Sequence, residues 1–135
     1  MRVEHAEHNE DACKYLLDSG KYNDWVITTA FYSALHYVYY ELFPMEYRNN
    51  SYSNFNSYYD SLFDYLNVNS RPSKHHVTIE LVNLRLPNCN RFFRWLHNEC
   101  FNARYKNYQI SCEKANIAMK YLSNIKRELN KLNSK

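Results

Sequence analysis

The segment Asn102-Ala103-Arg104-Tyr105-Lys106-Asn107-Tyr108 sets an arginine at the end of one helical stretch and a basic, aromatic loop at the start of the next. Helix starts carry unpaired N–H groups and a partial positive charge. An arginine beside one makes a phosphate site. Arg94, Lys106 and Tyr108 are the further candidate phosphate contacts. Chemistry on a phosphate ester also needs a group that moves a proton, and histidine, with a pKa of about 6.5, does this at neutral pH. His97 and His36 are the candidates, with Arg104 holding the developing charge. The phenol of Tyr108, with a pKa of about 10, is a poor base; it suits a hydrogen bond to phosphate or stacking on a base. The bland alternative is that Arg104 caps its helix and pairs with a local carboxylate or carbonyl.

Other residues invite weaker readings. His97 shares a helix face with Arg94 and Arg104, and Arg104 lies two turns, roughly 10 Å, beyond it. His36 falls on the polar, aromatic side of its helix and can face Arg104 from there; alternatively a neighbouring hydroxyl satisfies it. His5 and His8 stand three apart, a spacing that suits a metal, but no third ligand follows, so no metal or other cofactor is expected. His75-His76, beside a helix start, reads as a solvated pair. The Asn- and Tyr-rich stretch from Tyr47 to Tyr59 offers rings for single-stranded RNA, yet holds one basic residue, Arg48, and reads as a surface insertion. Lys126, Arg127 and Lys131 read as a solvated helix face.

Helices must position these groups. The 135 residues are the size of one domain and include a single Gly and three Pro, too few breakers for many tight turns. Val and Ile do not alternate, so strands are not expected. Helix one spans about Glu4 to Asp18 and closes on Ser19-Gly20, with Gly20 as a left-handed cap. Helix two starts at Asn23 or Asp24, either able to cap it, and ends at Phe43 before Pro44. Short helices follow over Asn54–Leu66 and, capped by Ser73, up to Leu86, separated by a loop from Asn67 to Ser73. Pro87 suits the first turn of helix three, which reaches Tyr105. Ser111 caps the last helix, which runs to about Asn130.

At about 100° per residue, each helix shows an apolar stripe. Ile27, Phe31, Ala34, Leu35, Val38 and Leu42 form one on helix two, opposite Thr29, Ser33, His36 and Tyr40. Cys89, Phe93, Leu96, Cys100 and Ala103 form another on helix three, beside a second stripe of Arg94, His97, Phe101 and Arg104. Ala118, Leu122, Ile125 and Leu129 form the last. The expected fold is all-α: an antiparallel up-and-down four-helix bundle with short extra helices between core helices two and three.

The formal charge of +3 and pI of 8.6 are mildly basic, short of the dense basic stripe of a dedicated nucleic-acid binder. The N-terminus is polar from Glu4 onward, so no signal peptide is expected. The apolar run Val26–Phe43 is interrupted by Thr, Ser, His, Tyr and Glu and reads as a buried helix rather than a membrane span. A cytoplasmic location follows, with Cys13, Cys89, Cys100 and Cys112 reduced and packed in the core. The 14 tyrosines suit partly exposed helices or a partner surface.

Tyr22-Asn23-Asp24-Trp25-Val26 with Phe31-Tyr32-Ser33-Ala34-Leu35-His36 resembles the second helix of the HEPN superfamily. Asn102-Ala103-Arg104-Tyr105 is similar to the Ala-Arg-Tyr signature before that family's last core helix, and Lys74-His75-His76 lies where many members carry a histidine. The resemblance covers the chain in order, as a single domain over 1–135, except 44–73, which looks like an insertion. It implies a four-helix bundle that dimerises. Many members are metal-independent ribonucleases of toxin–antitoxin, CRISPR or phage-defence systems, and a nucleotidyltransferase-type antitoxin is a possible partner. Their sites pair an Arg with a His a few residues on. Here Tyr108 follows Arg104 where that His belongs, so the base must come from elsewhere. Arg91 and His97 have the family's Arg-to-His spacing but point roughly 120° apart on a continuous helix. Members without the pair bind nucleotides, RNA or proteins, so the resemblance leaves open a non-catalytic module or a helical scaffold.

Overall fold

A computed structural model describes residues 2–133, and the chain is mostly helical. Helices α1 (Arg2–Ser19) and α2 (Asn23–Leu42) are separated by three residues. Gly20 has φ +70°, the left-handed conformation expected at that cap. Ser33 Oγ donates to the Ala6 carbonyl at 2.8 Å and Cys13 Sγ to the Val26 carbonyl at 3.4 Å, so the two helices run antiparallel. Ser33 is therefore fully buried against α1, not on an open polar side as the phasing suggested. No side chain caps α2. Its first flanking residue is Tyr22, and Asn23 instead donates from Nδ2 to the Ile110 carbonyl at 3.0 Å, tying the start of α2 to the loop before the last helix.

After Pro44 the chain departs from the all-helical expectation. Strands β1 (Met45–Tyr47) and β2 (Asn50–Tyr52) pair as an antiparallel hairpin, with Met45 opposite Tyr52. The two turn residues, Arg48 and Asn49, have φ of 51° and 68°, the sense that matches strand twist in two-residue hairpins. Helix α3 (Phe55–Phe63) is shorter than the stretch to Leu66 that periodicity marked. Asn54 Oδ1 caps it by accepting from the Ser57 N–H at 2.9 Å. A single 3₁₀ turn (Val68–Ser70) interrupts the following loop, and Ser73 Oγ caps α4 (Lys74–Arg85) through the His76 N–H at 3.0 Å, as expected. Pro87 opens a 3₁₀ turn, Pro87–Cys89, rather than the next helix; α5 runs Asn90–Tyr105. Helix α6 (Cys112–Asn133) starts at the Ser111 cap, whose Oγ accepts from the Lys114 N–H at 3.1 Å.

Helix α2 is the centre of the packing, touching α1, α5 and α6. Every residue of the three expected apolar stripes is buried. Phe31 and Phe93, each 1% exposed, meet at 5.5 Å between α2 and α5, and burial of such a ring contributes about 2–3 kcal/mol. Cys13, Cys89 and Cys100 lie in this core; Cys112, against expectation, is exposed at the start of α6. Burial raises the thiols of Cys13 and Cys89 to about 11, as for inert core cysteines. Among the described residues, no helix is long and apolar enough to cross a membrane.

Candidate functional site

Arg104 emerges from the last turn of α5 and is exposed. Its guanidinium carbon lies 5.9 Å from the ring centre of Trp25 on α2 and 5.9 Å from that of Tyr105. Among the described residues its neighbours are thus aromatic rather than a local carboxylate. It also reaches Tyr32 of α2. Burial pushes the Tyr32 phenol up, and the charge and hydrogen bond of Arg104 act against that rise. A guanidinium flanked by rings, with one contact to Tyr32, has further N–H donors in its fork.

Two cavities meet at this pair. One, of about 470 Å³, is lined by His5 and Asn9 of α1, by Trp25, Tyr32 and His36 of α2, and by Arg104. The other, of about 70 Å³, lies between Phe31 and Tyr32 of α2, His75 of α4, and His97, Cys100 and Arg104 of α5. Tyr32 and Arg104 border both. At about 70 Å³ the smaller cavity is well below the roughly 300–1,000 Å³ of a site for a whole drug-sized ligand.

The histidines come in two pairs. His36 stacks on His5 at 3.7 Å between ring centres, bridging α2 and α1. His97 lies 5.6 Å from His75, and both meet the edge of Phe31, at 5.6 and 5.3 Å. Burial, and the charge of His97, hold the imidazole of His75 below its ordinary 6.5. Its Nδ1 is buried with no hydrogen-bond partner. Native buried polar atoms are rarely left so. No group of three His, Cys, Asp or Glu residues among those described is arranged to hold a metal.

Of the residues singled out by sequence, Arg104, His36 and His97 therefore share one region around Tyr32. Arg94 is exposed on α5 and borders neither cavity. Lys106 turns back over the Phe101 ring at 5.8 Å, and Tyr108 is 70% exposed, so neither joins the cavities. The start of α6 is occupied by its Ser111 cap, and Lys114 pairs with Glu99 at 3.0 Å. Arg91 lies over Phe92, at 4.6 Å, not beside His97. His8 is exposed, and His5 stacks on His36.

Protein-family models, curated proteins and solved structures yield no match to this chain.

The sequence offered His75 only as half of a solvated doublet and at the histidine position of the resembling family; the structure sets it against Phe31 and His97. His76, its neighbour, is the solvated member of the doublet and lies 3.6 Å from Glu80 one turn on. The Ser73 cap fixes the first turn of α4 and so separates the directions of His75 and His76, but it does not say which of them faces inward. Tyr32 and His5 gave no comparable signal, because their roles depend on which helices become neighbours.

Proposed function

We propose that this chain is a HEPN-type four-helix up-and-down bundle that binds and cleaves RNA without a metal, acting as a homodimer in a toxin–antitoxin or phage-defence system. The single observation that carries the proposal is the convergence of Arg104 with the His75–His97 pair on the smaller cavity. His75, kept neutral, takes the proton from a ribose 2′-hydroxyl. The 2′-oxygen attacks the adjacent phosphorus and the bond to the 5′-oxygen breaks. His97, as the imidazolium, returns a proton to that leaving oxygen. Arg104 holds the charge on the phosphate oxygens through the transition state. The products are a 2′,3′-cyclic phosphate and a free 5′-hydroxyl, so atoms and protons balance with no co-reactant. His36, stacked on His5, faces the same guanidinium from the larger cavity and orients the flanking nucleotide.

The test is cleavage of single-stranded RNA in EDTA by the wild type and by Arg104→Ala. Loss of one charge-stabilising donor is expected to slow cleavage by about 10²–10³-fold. Absence of cleavage in the wild type, or equal rates in both, overturns the ribonuclease. A second reading is favoured by Tyr108, which stands exposed where the resembling family carries its catalytic histidine. Tight binding of RNA or nucleotide without turnover makes the chain a non-catalytic module of that kind. A nucleotidyltransferase encoded beside it would support the toxin–antitoxin setting.

A further inference from the structure

A third cavity, of about 600 Å³, opens where the end of α2 meets the hairpin insertion and the start of α4. This is the size range of small-ligand sites, and its wall is largely aromatic, with Tyr39, Tyr40, Phe43 and Phe55 around it. Tyr39 and Phe55 already stack on each other at 4.9 Å, and Tyr39 is pinned by its hydroxyl contact with Thr78 at 2.7 Å. Phe43 braces Tyr39 and Phe55 edge-on, at 6.2 and 6.3 Å. That rigid cluster leaves Tyr40, half exposed, as the wall residue with ring area still to lose. At the other side Lys74 brings its ammonium to 3.2 Å from Asn56 Oδ1. The cavity thus pairs a flat aromatic surface with one cation and side-chain amides, the chemistry that takes a nucleobase and its phosphate.

Its position ties it to the reaction. His36 borders both this cavity and the large one holding Arg104, while His75 borders both this cavity and the small one. A nucleotide held here sends its phosphodiester past the two histidines towards Arg104. We propose that this cavity is a base-specificity subsite: it takes the unpaired base next to the cleaved phosphate, stacked on Tyr40, with Lys74 on the phosphate beyond it. The inference rests on the RNA reading above and adds to it the part of the chain that selects sequence, the first part of the 44–73 insertion.

The experiment compares binding and cleavage-site choice for the wild type, Tyr40→Ala and Tyr40→Phe. The probes are fluorescein-labelled single-stranded oligonucleotides, intact or with one abasic position stepped along the strand. The wild type is expected to lose about tenfold or more in affinity when one particular base is removed, the usual worth of a stacked base. Tyr40→Ala is expected to bind intact RNA as weakly as the wild type binds the abasic strand, and to flatten base preference at one position beside the cut. Tyr40→Phe keeps the ring and should behave as the wild type, which excludes a folding defect as the cause. RNA bound equally well by wild type and Tyr40→Ala, with unchanged preference, overturns the subsite and leaves the ribonuclease standing. RNA bound by neither, nor by Arg104→Ala, overturns both.

Discussion

At the scale of single residues, the group on which the proposed chemistry rests is His75. A buried imidazole resists the charge that protonation would bring, and His97 adds to the resistance, so its pKa lies below the ordinary 6.5. Above that pH both folded and unfolded chains carry a neutral His75, and it contributes nothing to pH dependence. Below it the unfolded chain binds the proton first, so stability falls as the pH drops from 6.5 towards the folded value. His75→Gln should flatten that decline, whereas His76→Gln, on an exposed neighbour, should leave it intact. Urea midpoints followed by circular dichroism across this pH range check the point; parallel declines in wild type and His75→Gln would refute it. The residue also shows what the sequence could and could not say about the site. Helical phasing gave the faces of Arg104, His36 and His97, which line adjoining cavities. Which face of a short helix looks inward depends on a neighbour far away in sequence. His75 packs on Phe31 and His97, and no local pattern reports that.

At the scale of elements, the helices were legible because each level of signal agrees: apolar stripes, the caps at Ser73 and Ser111, and the breakers Gly20 and Pro44. Gly20 permits a clean measurement of one such signal. Its φ of +70° is strained for any residue with a Cβ, and a Cβ built there would meet nothing within 4 Å. Gly20→Ala should therefore cost about 1–2 kcal/mol from backbone conformation alone. Chemical denaturation gives the number, and a neutral or stabilising result would show that the α1–α2 turn can relax. The hairpin was illegible for the opposite reason. Its strands have three residues each, too short to display alternation, and its turn is Arg48-Asn49 where a Gly-containing pair would have announced it. The lost side-chain cap of α2 has a similar origin. Asn23 is a good capping residue by type, but its amide finds the Ile110 carbonyl, a partner 87 residues away.

At the scale of the whole molecule, one polar contact joins three of the long helices. Glu10 of α1 is 6% exposed, accepts from the Tyr37 hydroxyl of α2 at 2.7 Å, and receives Lys126 of α6 at 2.9 and 3.1 Å. Lys126, read from sequence as part of a solvated face, is instead the cation that makes this burial tolerable. Burial alone would raise the carboxyl; the Tyr37 hydrogen bond and Lys126 outweigh it, so the folded pKa lies below the ordinary 4.5. The sign follows from that order. The interaction contributes above pH 4.5, where the unfolded chain is also ionised, and is lost as pH falls through the lower folded value. Glu10→Gln keeps the shape and removes the charge, leaving Lys126 to rely on its partial exposure to water. A charged hydrogen bond of this kind is worth about 1–3 kcal/mol, so the variant should lose about that much near neutral pH. As pH falls from 4.5 through the lower folded value the gap should close, because the wild type then loses the same interaction by protonation. Denaturation curves at neutral and acid pH read both effects, and a gap that persists in acid would mean that Glu10 acts by packing. If the gap closes, the contact is a charged tie across α1, α2 and α6, holding the α1–α2 hairpin that carries His5 and His36 against the rest of the fold.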